Sequence, residues 1–412
     1  MKKTVLSLAV GLLMAPAFAE TSEVESEGSG FLTSALNSAV ESSMAAPAGA
    51  PTSSDKQMEY GRTVTDFVSA PKFGGYYIGR YQYSDKDKAK GGAGFNQRLI
   101  RFYVDGTILK DFKYRIQIQT NNDKFHMKDV FLEWQRYKFA MVKIGQFKRA
   151  FGFENPMNPW DISTGDYSLF TKKMTGDYQG DSWSGGGRDQ GIQVQGDFLP
   201  VGNDNHNLIH YQVGIWNGEG INKNNVDGHF DYIGTIQFQP IKNLYVGLFG
   251  WTGKYGTGAS VENRDKYAIG VKYENKGWSL RGEYGHAQYS ARPKFPTLDT
   301  DKKYTEEELM AYNAQVVAEW ARAKAATKED AWYLVAGMPI NSWFRLCAQY
   351  QTYRPATSWS KAQCVYSLIP EFQLHKNLKF QIQYNYNDVR GHAAPNKDRH
   401  FNEIWAETYF RF

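Results

Sequence analysis

The segment 380–387, Phe-Gln-Ile-Gln-Tyr-Asn-Tyr-Asn, alternates apolar and polar side chains without interruption. The segments 114–119, Tyr-Arg-Ile-Gln-Ile-Gln, and 192–195, Ile-Gln-Val-Gln, follow the same alternation. Successive side chains of a β-strand point to opposite sides, so a period of two gives each strand one apolar and one polar face. The pattern therefore indicates an all-β chain, and a soluble sandwich and a membrane-spanning barrel would both show it.

The spacing of the strands separates these two architectures. Alternation broken by Gly, Pro, Asn and Asp predicts about sixteen strands, most of them close to the roughly 9–11 residues that cross a membrane when tilted. Short turns alternate with long polar loops, which lie at 84–94, 146–189, 217–230, 252–264, 290–330, 353–360 and 388–400. Long loops confined to one end are typical of outer-membrane barrels. Residues 72–412 are therefore predicted to form a transmembrane antiparallel up-and-down β-barrel of about 16 strands.

The composition agrees with this class and excludes others. The 412 residues carry a net charge of +5 and a charged fraction of 22%, a balance that does not suggest a nucleic-acid partner. After the first twenty residues, no run approaches the roughly 18 apolar residues that a membrane-spanning helix needs. Tryptophans fall near predicted strand ends, where the aromatic girdles of membrane barrels lie. They are Trp134, Trp216, Trp251, Trp343 and Trp405.

Both ends of the chain indicate export to an outer membrane. Residues 1–19 combine two lysines, an apolar stretch and the small-residue site Ala17-Phe18-Ala19, which predicts a cleaved signal peptide. Residues 20–71 begin with a stretch rich in Ser, Ala, Glu, Gly and Pro. They are predicted to form a flexible periplasmic segment, with docking or oligomerisation as the alternative. The last strand alternates and stops on Phe412, which resembles the C-terminal signature of bacterial outer-membrane proteins.

Two of the predicted loops are long enough to have structure of their own. Residues 146–189 contain many aromatic side chains, and folding this third loop into the lumen would bury them and form a constriction. An external loop that packs on its neighbours is the alternative. Residues 305–330 begin with Thr305 and three glutamates and then place apolar side chains along one face. This pattern predicts a helix in a long extracellular loop that partly covers the pore.

The polar faces of the strands supply the charges of the predicted lumen. The basic residues are Arg80, Arg101, Arg115, Lys143, Lys272, Arg281, Arg345 and Arg411, and the acidic residues are Asp105, Glu133, Glu283 and Glu407. The third loop adds candidates for the constriction, namely Lys148, Arg149, Lys172 and Lys173. Arginine suits phosphate because its planar guanidinium donates two parallel hydrogen bonds, and rings of basic side chains favour anions. The alternative is a lumen of mixed charge in which these cations pair with the acids.

The third loop also carries a family resemblance. The stretch 143–154, Lys-Ile-Gly-Gln-Phe-Lys-Arg-Ala-Phe-Gly-Phe-Glu, resembles the motif of the phosphate-selective porin O and P family. The segments 98–119 and 188–192 are similar to strands of that family, and 72–76 resembles the first strand of its Bacteroidetes-type members. The resemblance implies a sixteen-stranded trimeric anion channel whose third loop folds inward. It also implies an inward row of arginines leading to a lysine-lined constriction, although that row has no residue-by-residue match in this sequence.

These observations predict an outer-membrane porin of a Gram-negative bacterium for the passive diffusion of small anions, with phosphate and polyphosphate as candidate solutes. The alternatives are a general porin for small hydrophilic solutes and a plugged barrel that acts as a surface scaffold or adhesin. The expected partners are outer-membrane lipid, lipopolysaccharide, the permeating solutes and further copies of the chain in a homotrimer.

No pattern in the sequence suggests an enzyme. The eight histidines form no zinc motif, and nothing marks a nucleophile, so no catalytic residue, metal site or cofactor is predicted. The two cysteines, Cys347 and Cys364, fall on opposite faces of neighbouring predicted strands. Because their side chains would point to opposite sides of the wall, they are predicted to be free thiols.

Overall fold

The barrel closes on itself through its first and last strands. The computed structural model describes residues 69–86, 92–121, 124–175, 186–256, 261–289, 304–324, 327–393 and 397–412. Over these residues the chain forms one closed barrel of sixteen antiparallel strands, in which each strand pairs with its neighbours in sequence. The last strand pairs with the first in register, with Tyr77 opposite Phe410 and Arg80 opposite Glu407. The predicted barrel of about sixteen strands is confirmed.

The strands and helices have the following bounds. The first half of the barrel consists of β1 Lys72–Ser84, β2 Ala93–Ile108, β3 Phe112–Asn121, β4 Lys124–Tyr137, β5 Ala140–Lys148, β6 Arg188–Val201, β7 His206–Trp216 and β8 Asp231–Ile241. The second half consists of β9 Leu244–Tyr255, β10 Glu262–Asn275, β11 Trp278–Tyr289, β12 Thr327–Pro339, β13 Phe344–Pro355, β14 Gln363–His375, β15 Leu378–Ala393 and β16 Lys397–Arg411. Helix α1 is Leu169–Met174, helix α2 is Glu306–Lys324, and a short 3₁₀ helix, η1, is Trp359–Lys361. No helix in the described ranges is long and apolar enough to span a membrane.

Several predicted bounds differ from the structure, and the two largest differences arise because strand pairing extends further than expected. Most of the predicted loop 388–400 is strand, since Val389 of β15 pairs with Arg399 of β16. The predicted helix 305–330 ends earlier, at Lys324, because Lys328 pairs with Gln288 of β11 and so belongs to β12. The helix itself is confirmed. Its apolar side chains Leu309, Met310 and Val317 are exposed, and its role in covering the pore stays a prediction.

The wall has one polar and one apolar face, as the period of two requires. In β15 the side chains of Gln381, Gln383 and Asn385 point inward and are almost fully buried. The alternate side chains Ile382 and Tyr384 point outward and are exposed. Large outward apolar side chains of this kind occur on fifteen of the sixteen strands, and on β13 the exposed outward residue is Ala348. The outer surface is therefore the hydrophobic one, which is the reverse of a soluble protein and the arrangement that a lipid environment stabilises.

The third loop lies inside the barrel. We call residues 149–187 the inner loop; the structure describes residues 149–175 and 186–187 of it. Its backbone contacts inward side chains from distant strands, since Gly165 N donates to Gln383 of β15 and Leu169 N donates to Gln351 of β13. These contacts can form only across the lumen, so the predicted inward fold is confirmed and the external alternative is wrong.

The two cysteines are free and buried. Cys347 lies on the lumen side of β13, and the sulfur of Cys364 accepts a weak hydrogen bond from Thr352 at 3.5 Å. The prediction of two free thiols is confirmed. The predicted signal peptide, 1–19, and nearly all of the predicted periplasmic segment, 20–71, lie outside the described residues.

Candidate functional site: the inner loop and the lumen wall

A buried carboxylate organises the inner loop from within. Glu154 Oε2 accepts hydrogen bonds from the backbone N–H of Ser168 at 2.8 Å, from the Ser168 hydroxyl at 2.6 Å and from the Thr171 hydroxyl at 2.6 Å. Ser168 is also the N-cap of α1, because its hydroxyl accepts from Thr171 N. The other oxygen, Oε1, accepts from Arg281 of β11 at 3.1 Å. Glu154 therefore fixes the start of α1 to the loop and to the wall at once.

A second carboxylate, on the wall, holds the loop backbone. Glu283 of β11 accepts from Phe153 N at 2.7 Å and from Glu154 N at 3.0 Å, and it also accepts from the Tyr333 hydroxyl. All three hydrogen bonds are shielded from water, so the loss of any one would leave a buried polar group without a partner. The side chain of Glu283 is 3% exposed, so the loop segment around Phe153 is held to β11 by a buried carboxyl group.

Aromatic packing fixes the same side of the loop against β9–β12. Phe151 lies 5.7 Å from Trp251, and Phe170 of α1 lies 6.0 Å from Tyr333, measured between ring centres. The wall has glycine where a larger side chain would collide with these rings. A Cβ atom added to Gly285 would lie 2.5 Å from the ring of Phe170. This half of the lumen is therefore filled by a hydrophobic core in which the loop is one of the two packed layers.

The opposite side of the loop meets the wall largely through polar contacts. Arg80 of β1 donates to Gly165 O at 2.7 Å, and Gln383 of β15 accepts from Gly165 N at 2.6 Å. Lys379 of β15 donates to Trp160 O at 2.9 Å, while the Trp160 ring packs against Tyr76 and Tyr409. The loop thus reaches from β9–β12 across to β1, β15 and β16.

Two of the four predicted constriction residues hold the loop in place. The ammonium of Lys148 donates to Asn155 O at 2.6 Å, to Met157 O and to the Tyr167 hydroxyl at 2.8 Å. Arg149 is fully buried, donates to Thr175 O at 3.0 Å and stacks on Trp251 with its Cζ 4.7 Å from the ring centre.

The other two, Lys172 and Lys173, lie on α1 and keep partial exposure to the lumen. Lys172 donates to Asp166 at 2.7 Å, and both side chains are 28% exposed. Burial would raise the pKa of Asp166, but Lys172, Arg98 and Arg80 outweigh it and hold this pKa well below its usual range. The ammonium of Lys173 lies 5.0 Å from the ring centre of Tyr353, and no carboxylate in the described part of the chain pairs with it.

The predicted lumen-facing cations all point inward, and most are paired with acids. The pairs are Arg80–Glu407 at 2.8 Å, Arg115–Asp105 at 2.7 Å, Lys143–Glu133 at 3.1 Å, Arg281–Glu154 at 3.1 Å and Arg345–Glu371 at 3.6 Å. Arg101 differs, since it donates to Gln119 and to the Tyr76 hydroxyl at 2.8 Å each. For these five cations the wall therefore shows the alternative given in the sequence analysis, a lumen of mixed charge in which cations pair with acids.

Sequence reasoning missed several charges of the lumen. Arg98, Arg188, Arg264, Lys266 and Lys379 are inward cations, and Asp129, Asp189 and Asp231 are inward acids. Arg98 lies at a register shift, opposite Ile78 and Gly79, so strict alternation assigns it to the wrong face. Arg188 and Asp231 are the first residues of their strands, where a sequence pattern defines no face. The face on which such a side chain lies is determined by the pairing with the neighbouring strand.

The described residues offer no metal-binding chemistry. No group of three His, Cys, Asp or Glu side chains within them could hold a metal ion. The site consists of a loop inside a charged tube, packed on aromatic side chains on one side and hydrogen-bonded to the wall on the other.

Comparisons with known proteins agree with this architecture. No protein-family model and no curated protein sequence matches the chain. Among solved structures, the chain is similar to an anion-selective porin from Comamonas acidovorans, with a TM-score of 0.58 and 12% identity over 84% of this chain and all of the other. It is also similar to the outer membrane channel DcaP of Acinetobacter baumannii, with a TM-score of 0.55 and 11% identity over 84% of this chain and 98% of the other. Salmonella typhi OmpF gives a TM-score of 0.54 at 11% identity over 83% of this chain and 97% of that one. At such low identity the likeness establishes the fold.

Proposed function

We propose that this chain is an outer-membrane porin through which small anions diffuse passively. The observation that carries the proposal is the inner loop. It crosses the lumen of a barrel whose outer surface is apolar, and one of its sides is held by hydrogen bonds to the wall. A closed sixteen-stranded wall is wide enough to enclose an aqueous channel rather than a packed core. An inward loop then narrows the passage and brings Lys172 and Lys173 to it.

The names of the similar structures support the location and the assembly that we propose. They include porins and an outer membrane channel, and one of them is a trimer form of OmpT from Vibrio cholerae, with a TM-score of 0.51. We accordingly place the chain in the outer membrane of a Gram-negative bacterium, as a homotrimer. The predicted signal peptide at 1–19 would direct the export of the chain from the cytoplasm.

The preference for anions would come from a small number of cations on the inner loop. Because Arg80, Arg115 and Lys143 are paired with acids, their fields largely cancel at a distance. Lys173 keeps partial exposure without a carboxylate partner among the described residues, and Lys172 shares Asp166 with Arg98. This distribution supports a mild anion preference. Phosphate and polyphosphate are the solutes to test first, because of the family resemblance of residues 143–154.

A second candidate is a sealed barrel that acts as a surface scaffold or adhesin. The observation in its favour is how completely the wall covers the loop: Arg149, Glu154, Phe151 and Phe170 are all fully buried. A barrel sealed in this way would not conduct.

Planar-bilayer recording of the purified full-length chain separates these functions. We expect a stable conductance and, across a potassium chloride gradient, a reversal potential of the sign for anion preference. The double variant Lys172→Glu, Lys173→Glu should lower the chloride-to-potassium permeability ratio several-fold, because two positive charges at the constriction become negative.

The matched control is Lys242→Glu, in the turn between β8 and β9, where the side chain is 60% exposed and far from the inner loop. It should leave the ratio unchanged. Block of the chloride current by low phosphate would identify phosphate as a preferred solute. A large conductance that phosphate does not block and that the double variant does not alter would favour a general porin, and the absence of any conductance would favour the sealed scaffold.

A further inference from the structure

A cavity lies on the outer face of the barrel, at the end where the long loops are. Its volume is about 650 Å³, and it is lined by Trp359, Ser360, Lys361, Asp388, Arg390, Gly391 and His400. We call these residues the rim site. They come from η1 and from the ends of β15 and β16. Arg390 N of β15 donates to the O atom of Ala362, the residue that follows η1, at 2.9 Å.

The register of β15 and β16 shows that the rim site faces away from the lumen. Asp388 follows the exposed outward residues Tyr384 and Tyr386 at intervals of two, and it is paired with His400 across the ladder. The inward residues of the same strand, such as Asn385, are buried. Arg390 shares the face of Asp388, because its guanidinium donates two hydrogen bonds to Asp388 at 3.1 and 2.8 Å. The site therefore lies directly beyond the apolar belt of the wall.

One side of the cavity is an aromatic and guanidinium stack. The Trp359 ring is 46% exposed and packs edge-on against Trp332 of β12, with 5.7 Å between ring centres. Arg354 lies against both rings, with its Cζ 4.8 Å from the centre of Trp359 and 5.1 Å from that of Trp332. Asp330 binds the same guanidinium at 2.9 and 2.6 Å, so the platform beneath Trp359 is rigid.

The other side of the cavity presents hydrogen-bonding and basic groups. Lys361 and His400 are exposed and Arg390 is partly exposed. Among the described lining residues Asp388 is the one carboxylate, and it lies 2.8 Å from Arg390 and 3.6 Å from His400. Cations favour phosphate, a carboxylate accepts from hydroxyl groups, and an exposed indole packs on the C–H face of a sugar ring. A cavity of this size also matches the roughly 300–1,000 Å³ of small-molecule sites.

We propose that the rim site binds the phosphorylated sugar head group of a glycolipid in the outer leaflet. The proposal rests on the outer-membrane location in the proposed function, because only there does the long-loop end meet such lipids. Aromatic side chains at a membrane interface and basic pockets at head-group depth are the features that hold lipid head groups. The acyl chains of the lipid would lie along the exposed side chains of Tyr366, Tyr384 and Tyr386.

Native mass spectrometry of the full-length chain in detergent, titrated with bisphosphorylated lipid A, tests the proposal. We expect saturable binding that the double variant Lys361→Gln, Arg390→Gln weakens about ten-fold or more, because two charge-assisted contacts are lost. Trp359→Leu should weaken binding less, since it removes the platform and leaves the charges. The unmodified chain should bind lipid A without phosphates more weakly than the bisphosphorylated form. The double variant should bind the two forms of lipid A with equal affinity.

The matched control is Arg136→Gln, at the short-turn end of β4. This arginine is also paired with an aspartate, Asp111 at 3.6 Å, and also lies against an aromatic ring, Tyr137 at 5.8 Å. Its removal should leave lipid binding unchanged. The proposal would be overturned if the rim and control variants lost affinity equally, or if inorganic phosphate at the same concentration displaced the lipid. Conductance recorded on the same preparations keeps the two proposals apart, because lipid binding without conductance would refute only the channel.

Discussion

The two sides of the inner loop are held by different forces. Toward β9–β12 the loop is fixed by Phe151 and Phe170, packed against Trp251 and Tyr333, and by buried hydrogen bonds to Glu283. Toward β1 and β15 it is held mainly by hydrogen bonds to the backbone of Gly165 and Trp160. Apolar burial excludes water and opposes movement, whereas polar contacts can be exchanged for water. We infer that the aromatic side anchors the loop and that the polar side borders the permeation path.

Removing the aromatic anchor should give the largest effect. The double variant Phe151→Ala, Phe170→Ala deletes two fully buried rings, each worth roughly 3–5 kcal/mol in a packed core. The loop should leave the wall, and single-channel conductance should rise several-fold in planar bilayers. Phe73→Ala is the control, because this ring is 80% exposed on the outer face and should not affect conductance. Unchanged conductance in the double variant would mean that the loop does not narrow the channel.

Weakening the buried carboxylate should give an intermediate effect. Glu283→Gln keeps the shape of the side chain but places an amide NH₂ where a carboxyl oxygen accepts hydrogen bonds, at a cost of about 1–3 kcal/mol. We expect a folded barrel whose open-channel current fluctuates more, because the loop segment at Phe153 detaches transiently. The control is Asp204→Asn, a partly exposed carboxylate in the short turn between β6 and β7. Equal current noise in the two variants would show that Glu283 does not anchor the loop.

The polar side should give the smallest effect, visible in selectivity rather than in conductance. Asp166→Asn removes the shared partner of Arg98 and Lys172, so anion preference should rise modestly at neutral pH. Because the pKa of Asp166 is lowered, the native carboxylate stays charged through the pH range in which ordinary aspartates, with a pKa of about 3.9, protonate.

The difference in reversal potential between the variant and the native chain should therefore persist down to about pH 4. It should vanish only as the pH falls through the lowered pKa of Asp166. A difference that is already lost near pH 5 would contradict this arrangement of charges.

The sequence was most informative where a regular pattern repeats. Alternation such as that of 380–387, with turns between, was enough to predict the strand number, because each strand must keep one face in each environment. The aromatic content of 146–189 was enough to predict the inward loop, since exposed rings in water are unfavourable.

The partners within the lumen could not be predicted, because they join residues far apart in the chain. Glu283 contacts Phe153 across 130 positions, and Lys148 was expected to face solutes although its ammonium is bound by carbonyls of the loop itself. The register shift at Arg98 is equally invisible in one sequence. The sequence pattern therefore predicts which charged residues face the lumen, but not whether each one contacts solutes or holds the inner loop.

Cysteine modification at Lys173 tests most directly whether the inner loop lines a permeation path. The native thiols of Cys347 and Cys364 are buried, so Lys173→Cys supplies one accessible target. During bilayer recording, a negatively charged thiosulfonate reagent should lower the anion current of this variant, and a positively charged one should restore or raise it. Lys242→Cys should respond to neither. Conductance that neither reagent alters, or the absence of any conductance, would contradict the account.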